Sequence, residues 1–283
     1  MFSAFSGGGC LKRFSGLIQS RDPGAGSLSR PFARQEKGFA LTSPGKHYDQ
    51  VLAKHYTWMF GVPFERKAEE QSALLTEAGV GAPGLAVDLG CGSGFQSVAL
   101  ADLGATCVHA IDLCGRLLAE LESHAGNRPI ITHAADLAAF DTLVGAPADT
   151  IVCMGDTLTH LPTPEAVAVL FTKAAVGLRA GGRFVLSWRD LSRPPKGLDR
   201  FIPLRSEDDR VMTCFLEDAG DVVMVHDLLH LRTAEGWMLE KSCYPKLKLS
   251  AGWVRERLAA AGLKPDFERT ERGMTVLAAK RDV

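Results

Sequence analysis

The 283-residue chain has no CxxC pair among its seven cysteines, which stand at positions 10, 91, 107, 114, 153, 214 and 243. An odd and scattered set argues against a disulfide framework or a structural zinc site, and it fits a reducing compartment. Net charge is lacking too, with 32 Lys and Arg against 33 Asp and Glu. Such a chain exerts no global attraction on phosphate backbones or anionic membranes. No apolar run approaches the roughly 18 residues that a membrane helix requires. What remains is an ordinary globular composition, 46% hydrophobic and 23% charged, long enough for one large domain or one domain with an insertion.

Residues 1–45 differ from the rest. They hold eight Gly, seven Ser and three Pro, and six basic residues (Lys12, Arg13, Arg21, Arg30, Arg34, Lys37) against Asp22 and Glu36. Such a segment buries little apolar surface and is expected to be disordered. Two readings fit it: a flexible tail, which leaves the protein cytoplasmic, or an organellar transit segment. The domain is expected over 46–283.

From Glu65 onward, segments of helical and of strand periodicity alternate. Helices are predicted over Glu65–Ala78, Ser97–Leu103, Gly115–His124 and Thr163–Leu178. Strands are predicted over Leu85–Leu89, Cys107–Asp112, Pro129–Ala134, Asp149–Met154 and Arg183–Trp188. Strands apolar throughout indicate a parallel sheet covered on both faces. The pattern breaks over 198–249, where Val211–Leu216, Val222–Leu231 and Trp237–Leu247 read as an inserted antiparallel β meander. A helix over Ser250–Ala261 and two strands, Pro265–Thr270 and Met274–Ala279, close the chain. The expected fold is α/β, a doubly wound, mostly parallel seven-stranded sheet with a terminal antiparallel hairpin.

The sharpest motif is Val87-Asp88-Leu89-Gly90-Cys91-Gly92-Ser93-Gly94, between the first strand and its helix. Glycines there let the backbone turn tightly and approach a ligand. The dinucleotide fingerprint needs Gly or Ala three positions after its second glycine. Phe95 stands there, and the third glycine comes at Gly94. Asp88 at the strand end would repel a diphosphate.

The string resembles the S-adenosylmethionine-binding motif of the class I (Rossmann-like) methyltransferases, and the likeness in layout spans about 48–283. It implies that Asp88, Gly90, Cys91, Gly92 and Gly94 form the loop around the amino-acid and ribose part of S-adenosylmethionine. Asp112, with Leu113 after it, would accept hydrogen bonds from the ribose hydroxyls. Asp136 and Leu137 would lie against the adenine, and Met154 at the methionine end. Other readings stay open: Asp88 as a turn cap, Asp112 as a solvated strand end, Asp136 as a helix N-cap. Cys91 reads as a small packing residue and not as a nucleophile.

Methyl transfer needs alignment, exclusion of water and an unprotonated acceptor. Three regions are candidates for the acceptor site. The first is His55-Tyr56-Thr57-Trp58-Met59-Phe60, a lid in the resembling enzymes; it offers Tyr56 as a catalytic candidate and Trp58 for a cationic ligand, with plain core packing as the other reading. The second is Asp156 to His160 after the fourth strand, where Asp156 or His160 would take a proton or orient an amine. The third is Arg189, for an acceptor carboxylate or a pair with Asp190. The insertion carries seven basic residues against ten acids, no track for nucleic acid. It is similar in layout to the cap of glycine and sarcosine N-methyltransferase-like enzymes. His226 and His230 lie in a strand, about 13 Å apart, so no metal is expected.

These features imply methylation of an amine or oxygen of a small-molecule metabolite, by a protein with no nucleic-acid or membrane partner that can form a homo-oligomer. The string that amino-directed DNA enzymes carry after the fourth strand is replaced by Gly155-Asp156-Thr157-Leu158, although some RNA acceptor stays open. Rival readings are a cofactor-binding sensor or scaffold without catalysis and, disfavoured by Phe95, a nicotinamide-dependent reductase.

Overall fold

The computed structural model describes residues 52–282. The expected tail, 1–45, lies outside them. The chain enters through a 3-10 turn, Ala53–His55, and one helical turn, α1 (Tyr56–Met59). Helix α2 (Phe64–Glu77) follows. Then come β1 (Leu85–Leu89), α3 (Phe95–Asp102), β2 (Cys107–Asp112), α4 (Gly115–Ala125) and β3 (Ile130–Ala134). A 3-10 turn (Leu137–Ala139) and α5 (Phe140–Leu143) lead to β4 (Ala148–Cys153), α6 (Pro164–Gly177) and β5 (Leu178–Arg189). Four strands form the insertion: β6 (Phe201–Ser206), β7 (Arg210–Ala219), β8 (Val222–Thr233) and β9 (Gly236–Leu247). Helix α7 (Ala251–Ala260) and the hairpin of β10 (Leu263–Glu271) and β11 (Met274–Arg281) complete the chain.

The main sheet has seven strands in the order β10-β11-β5-β4-β1-β2-β3. The first five strands of the chain pair in parallel, and β11 joins β5 antiparallel. Alternate residues divide its two faces. Ala86, Val108, Val152 and Val185 pack with Leu75 of α2 and Leu100 of α3. Val87, Leu89, Ile151 and Phe184 pack with Phe171 of α6 and Leu258 of α7. Burial on both faces is why the strands read as continuous apolar runs. Helix α6 begins as its sequence directs: Thr163 Oγ1 accepts from Ala166 N at 3.2 Å and Pro164 follows, an arrangement typically worth about 1 kcal/mol.

The main-sheet strands and helices fall where periodicity puts them, apart from a residue or two at their ends. The exception is β5, which starts at Leu178 and runs through Gly181-Gly182 before the predicted Arg183. The separate four-stranded antiparallel sheet, order β6-β7-β8-β9, adds β6 to the three strands expected. Its register shifts between Pro203 and Arg205, and this proline on an edge strand conceals the pattern.

The order of the main sheet reverses between β1 and β4. Loops leaving the carboxyl ends of these neighbours part in opposite directions and leave a crevice, the place where open α/β sheets hold ligands.

Candidate functional site

The loop after β1 is held in place by several kinds of contact. Gly90, Gly92 and Gly94 all have positive φ, at 71°, 56° and 92°. A Cβ on Gly90 would overlap the side chain of Thr157, and one on Gly94 would overlap Leu121 of α4. These two glycines therefore allow close packing of the loop after β4 and of α4. Gly92 faces the crevice, where a Cβ would come within 3.3 Å of the Tyr56 ring.

Asp112, at the end of β2, secures the loop from the side. Its carboxylate accepts from Gly92 N at 2.9 Å and from Cys114 N at 2.8 Å. Asp88 lies beneath the loop, 1% exposed, and accepts from Ser97 Oγ at 2.6 Å. Burial pushes its carboxyl up to about 7; the Ser97 bond opposes this and the nearby Asp112 charge adds to it. Tyr56 is half-buried among Phe60 and Phe95. Burial, then the Asp112 charge, holds its phenol above the ordinary range, so it keeps its proton.

Between these groups lies a cavity of about 560 Å³, within the roughly 300–1,000 Å³ of small-molecule sites. One side presents Tyr56, Gly90, Gly92, Asp112 and Asp136. Leu113, Leu117, Ala135 and Leu137 form an apolar wall beside them. Gly155, Thr157, His160, Leu161 and Pro162 come from the loop after β4, and Val222, Pro245 and Leu247 from the inserted sheet. Asp136 also caps the turn after it, accepting from Ala138 N at 2.8 Å; the capping reading and the cavity reading hold together.

The site thus brings Tyr56, Gly90, Gly92, Asp112, Leu113, Asp136, Leu137 and His160 to one cavity. Asp88, Cys91, Gly94, Met154, Trp58, Asp156 and Arg189 are not among its lining residues. Cys91 and Met154 are core residues, each 3% exposed; Gly155 and Thr157, just past Met154, take its place at the wall. Burial, followed by the charges of Asp88 and Asp112, raises the Cys91 thiol well above its usual range, which suits packing and not nucleophilic attack.

Asp156 differs most from its expected role. It sits in the left-handed region at φ 79°. Its carboxylate accepts from Arg189 N at 2.7 Å, Arg189 Nη1 at 2.9 Å and Lys246 Nζ at 2.7 Å. Burial disfavours the charge, but Lys246 and then Arg189 overcome this and hold the carboxyl well below the usual range. A group so tied does not take a proton; it ties β4, β5 and β9 together. Arg189 pairs with Asp156 through Nη1, its side chain half-exposed, and not with Asp190, which accepts from Ser192 N and Ala251 N. Arg189 is not among the residues that line the cavity. Trp58 turns to the inserted sheet, where its Nε1 donates to Glu207 Oε2 at 2.7 Å. His160 reaches the cavity with its ring against Tyr244, centroids 5.4 Å apart. His226 contacts Glu217 at 3.0 Å, and among the described residues no group of three or more His, Cys, Asp or Glu is placed to hold a metal. No helix among them is long and apolar enough to cross a membrane.

Val222, Pro245 and Leu247 escaped the sequence reading because nothing local marks a strand residue as lining a distant crevice. Gly155 and Thr157 were within reach, since the whole loop after β4 lies where the strand order reverses.

The residues present fit an adenosyl sulfonium. Two carboxylates and the Gly92 cradle suit a diol and an amino group, and the leucine wall suits a base. Residues 86–182 match the family described as "Methyltransferase domain". No curated protein matches the chain. Among solved structures, the CcbJ methyltransferase from Streptomyces caelestis is similar at 19% identity and TM-score 0.69, over 84% of this chain and 98% of that one. The sugar N-methyltransferase KedS8 from Streptoalloteichus sp. is similar at 20% identity and TM-score 0.65, over 81% and 92%. CalS10, an amino pentose methyltransferase from Micromonospora echinaspora solved with S-adenosylmethionine bound, is similar at 18% identity and TM-score 0.63, over 81% and 95%. At these identities the likeness establishes the fold.

Proposed function

From the premise that residues 86–182 are a methyltransferase domain and that S-adenosylmethionine is its cofactor, we propose that this chain methylates a nitrogen or oxygen of a small-molecule acceptor. The reading takes 46–283 as one catalytic domain with 198–249 as its acceptor cap. The observation that carries it is the single cavity walled by Gly92 and Asp112 at one side and by His160 and the inserted sheet at the other. A nitrogen acceptor is favoured by the neighbours that are sugar N- and amino pentose methyltransferases.

S-adenosylmethionine, when bound, supplies a methyl group on a positively charged sulfur that leaves as a neutral thioether. The chain's own residues do the rest. Asp112, held by two backbone N–H groups, accepts from hydroxyl donors at a fixed place. Asp136 and Leu137 confine the base. Tyr56 stays protonated and closes the cavity over Gly92, where it can donate a hydrogen bond and does not serve as a base at neutral pH. Leu161, Pro162, Pro245 and Leu247 exclude water where the acceptor would lie. His160 is the titratable group on that side that can take a proton from an ammonium acceptor before attack.

Transfer of a labelled methyl from S-adenosylmethionine tests the proposal, with a panel of amino sugars, small amines and their hydroxyl analogues. Turnover of an amine, with kcat reduced roughly 10²-fold or more in His160→Ala, is the expected result. Binding of S-adenosylhomocysteine without turnover of any acceptor would instead favour the sensor reading, and turnover confined to RNA would overturn the small-molecule reading.

A further inference from the structure

Helix α1 is a single turn with two faces. Tyr56 lines the cavity over Gly92, and Thr57 Oγ1 lies 3.3 Å from Ser93 Oγ, in the glycine loop. Trp58 and Met59, together with the flank of Tyr56 itself, pack with Leu52 against Met212, Leu229 and Leu231 of the inserted sheet.

The contact around Trp58 is built from charges as well as apolar surface. Its indole N–H donates to Glu207 at 2.7 Å. The Arg205 and Arg210 guanidinium carbons lie 5.1 and 4.7 Å from the ring centroid. Arg205 also donates to the Trp58 carbonyl oxygen and pairs with Glu207, and Arg210 Nε lies 3.4 Å from the Glu207 carboxylate. One carboxylate thus accepts from the indole and from Arg205, and Arg210 sits between it and Asp209, 3.4 Å from each. The Trp58 bond holds Glu207 below the ordinary carboxylate range; desolvation opposes it, and Arg205 and then Arg210 add to the lowering. Glu207 stands in the β6–β7 turn, and β8 and β9 of that sheet supply Val222, Pro245 and Leu247 to the far wall of the cavity.

We propose that the Trp58–Glu207–Arg205–Arg210 box is a latch: it fastens the Tyr56 lid over the cofactor end to the sheet that covers the acceptor end, so that the lid cannot lift until the box parts. Trp58 and Glu207 are positioning residues that act through Tyr56 and touch neither ligand. Cofactor product cannot leave by lid movement alone; the contact with β6–β7 must also part. The box is built where a 3-10 turn and one helical turn provide too little structure of their own to stay ordered.

The inference rests on the cofactor reading, and the dissociation rate of S-adenosylhomocysteine from the full chain separates the two. Stopped-flow or biosensor measurement would compare wild type with Trp58→Ala, Trp58→Phe and Glu207→Gln. Expected is a rate raised roughly tenfold or more in Trp58→Ala and severalfold in Glu207→Gln, with Trp58→Phe between wild type and Trp58→Ala because it keeps the cation-facing ring. Glu207 is exposed, so Glu207→Gln should show an unchanged melting temperature, and its faster release then reports the latch and not unfolding. A dissociation rate in Glu207→Gln and Trp58→Phe equal to wild type would overturn the latch and leave the cofactor site standing. No binding by the wild type would overturn both.

Discussion

Asp88 shows how one buried carboxyl sets a pH dependence. Its ordinary value is 3.8 and its value in the fold is about 7. Between those values the unfolded chain has lost the proton and the folded chain keeps it. The contribution to stability is therefore complete below about pH 3.8, falls as pH rises, and is gone above about 7. Asp88→Asn removes the titration while keeping an acceptor for Ser97. Urea unfolding at pH 5 and pH 8 should show the variant gaining on wild type by a few kcal/mol between the two; an equal difference at both would refute the burial account of Asp88. Gly92→Val tests the other side of the loop. It places a branched side chain at φ 56° and within reach of Tyr56, so S-adenosylhomocysteine binding should weaken by two orders of magnitude or more, about 3 kcal/mol. Gly92 and Asp112 were legible because their signals are local: a glycine string after an apolar strand, and an acid at the end of the next. The partners of Asp156 and Trp58 were not legible because Lys246 lies in β9 and Glu207 in the β6–β7 turn, both far along the chain.

At the scale of elements, Asp156 is the junction between main sheet and insertion. Lys246 and Asp156 are 11% and 5% exposed at the side chain, so removing Lys246 costs a buried carboxylate one of its two cations and leaves it Arg189. Lys246→Met should destabilise the protein by about 1.5–3 kcal/mol, as losing a hydrogen bond to a charged group does, measured by chemical denaturation at pH 7. The sign with pH is opposite to that of Asp88. The Asp156 carboxyl is held below its ordinary value, so its stabilisation is present above about pH 3.8 and disappears as pH falls below it. Wild type should therefore lose the stability that Lys246→Met lacks once the pH is low enough to protonate Asp156, and the gap between them should narrow; a gap unchanged at pH 2.5 relative to pH 7 would contradict the pairing. Alternation of apolar runs and helical stretches gave the main sheet because its strands are buried on both faces. The edge strand β6 went unseen because Pro203 and the register shift beside it break the period of two.

For the whole molecule, the order β10-β11-β5-β4-β1-β2-β3 decides where a ligand can lie. Reversal at β1 and β4 opens the crevice, the glycine loop and Asp112 shape one end, and the inserted sheet covers the other. Fold class and the cofactor end were readable in the sequence, since each depends on short segments in chain order. For the acceptor end the loop after β4 and the insertion were readable as regions, but not the wall residues Val222, Pro245 and Leu247, because which strand residues of an insertion face a distant crevice depends on how the two sheets pack.

The central claim is that this crevice holds an adenosyl sulfonium and not a dinucleotide. Calorimetric titration of the full chain with S-adenosylhomocysteine and with NADH, repeated on Asp112→Ala, tests it most directly. The expected result is micromolar, one-to-one binding of S-adenosylhomocysteine, weakened at least roughly a hundredfold in the variant, and no heat from NADH. Binding of NADH, or equal binding of S-adenosylhomocysteine by wild type and Asp112→Ala, would contradict it.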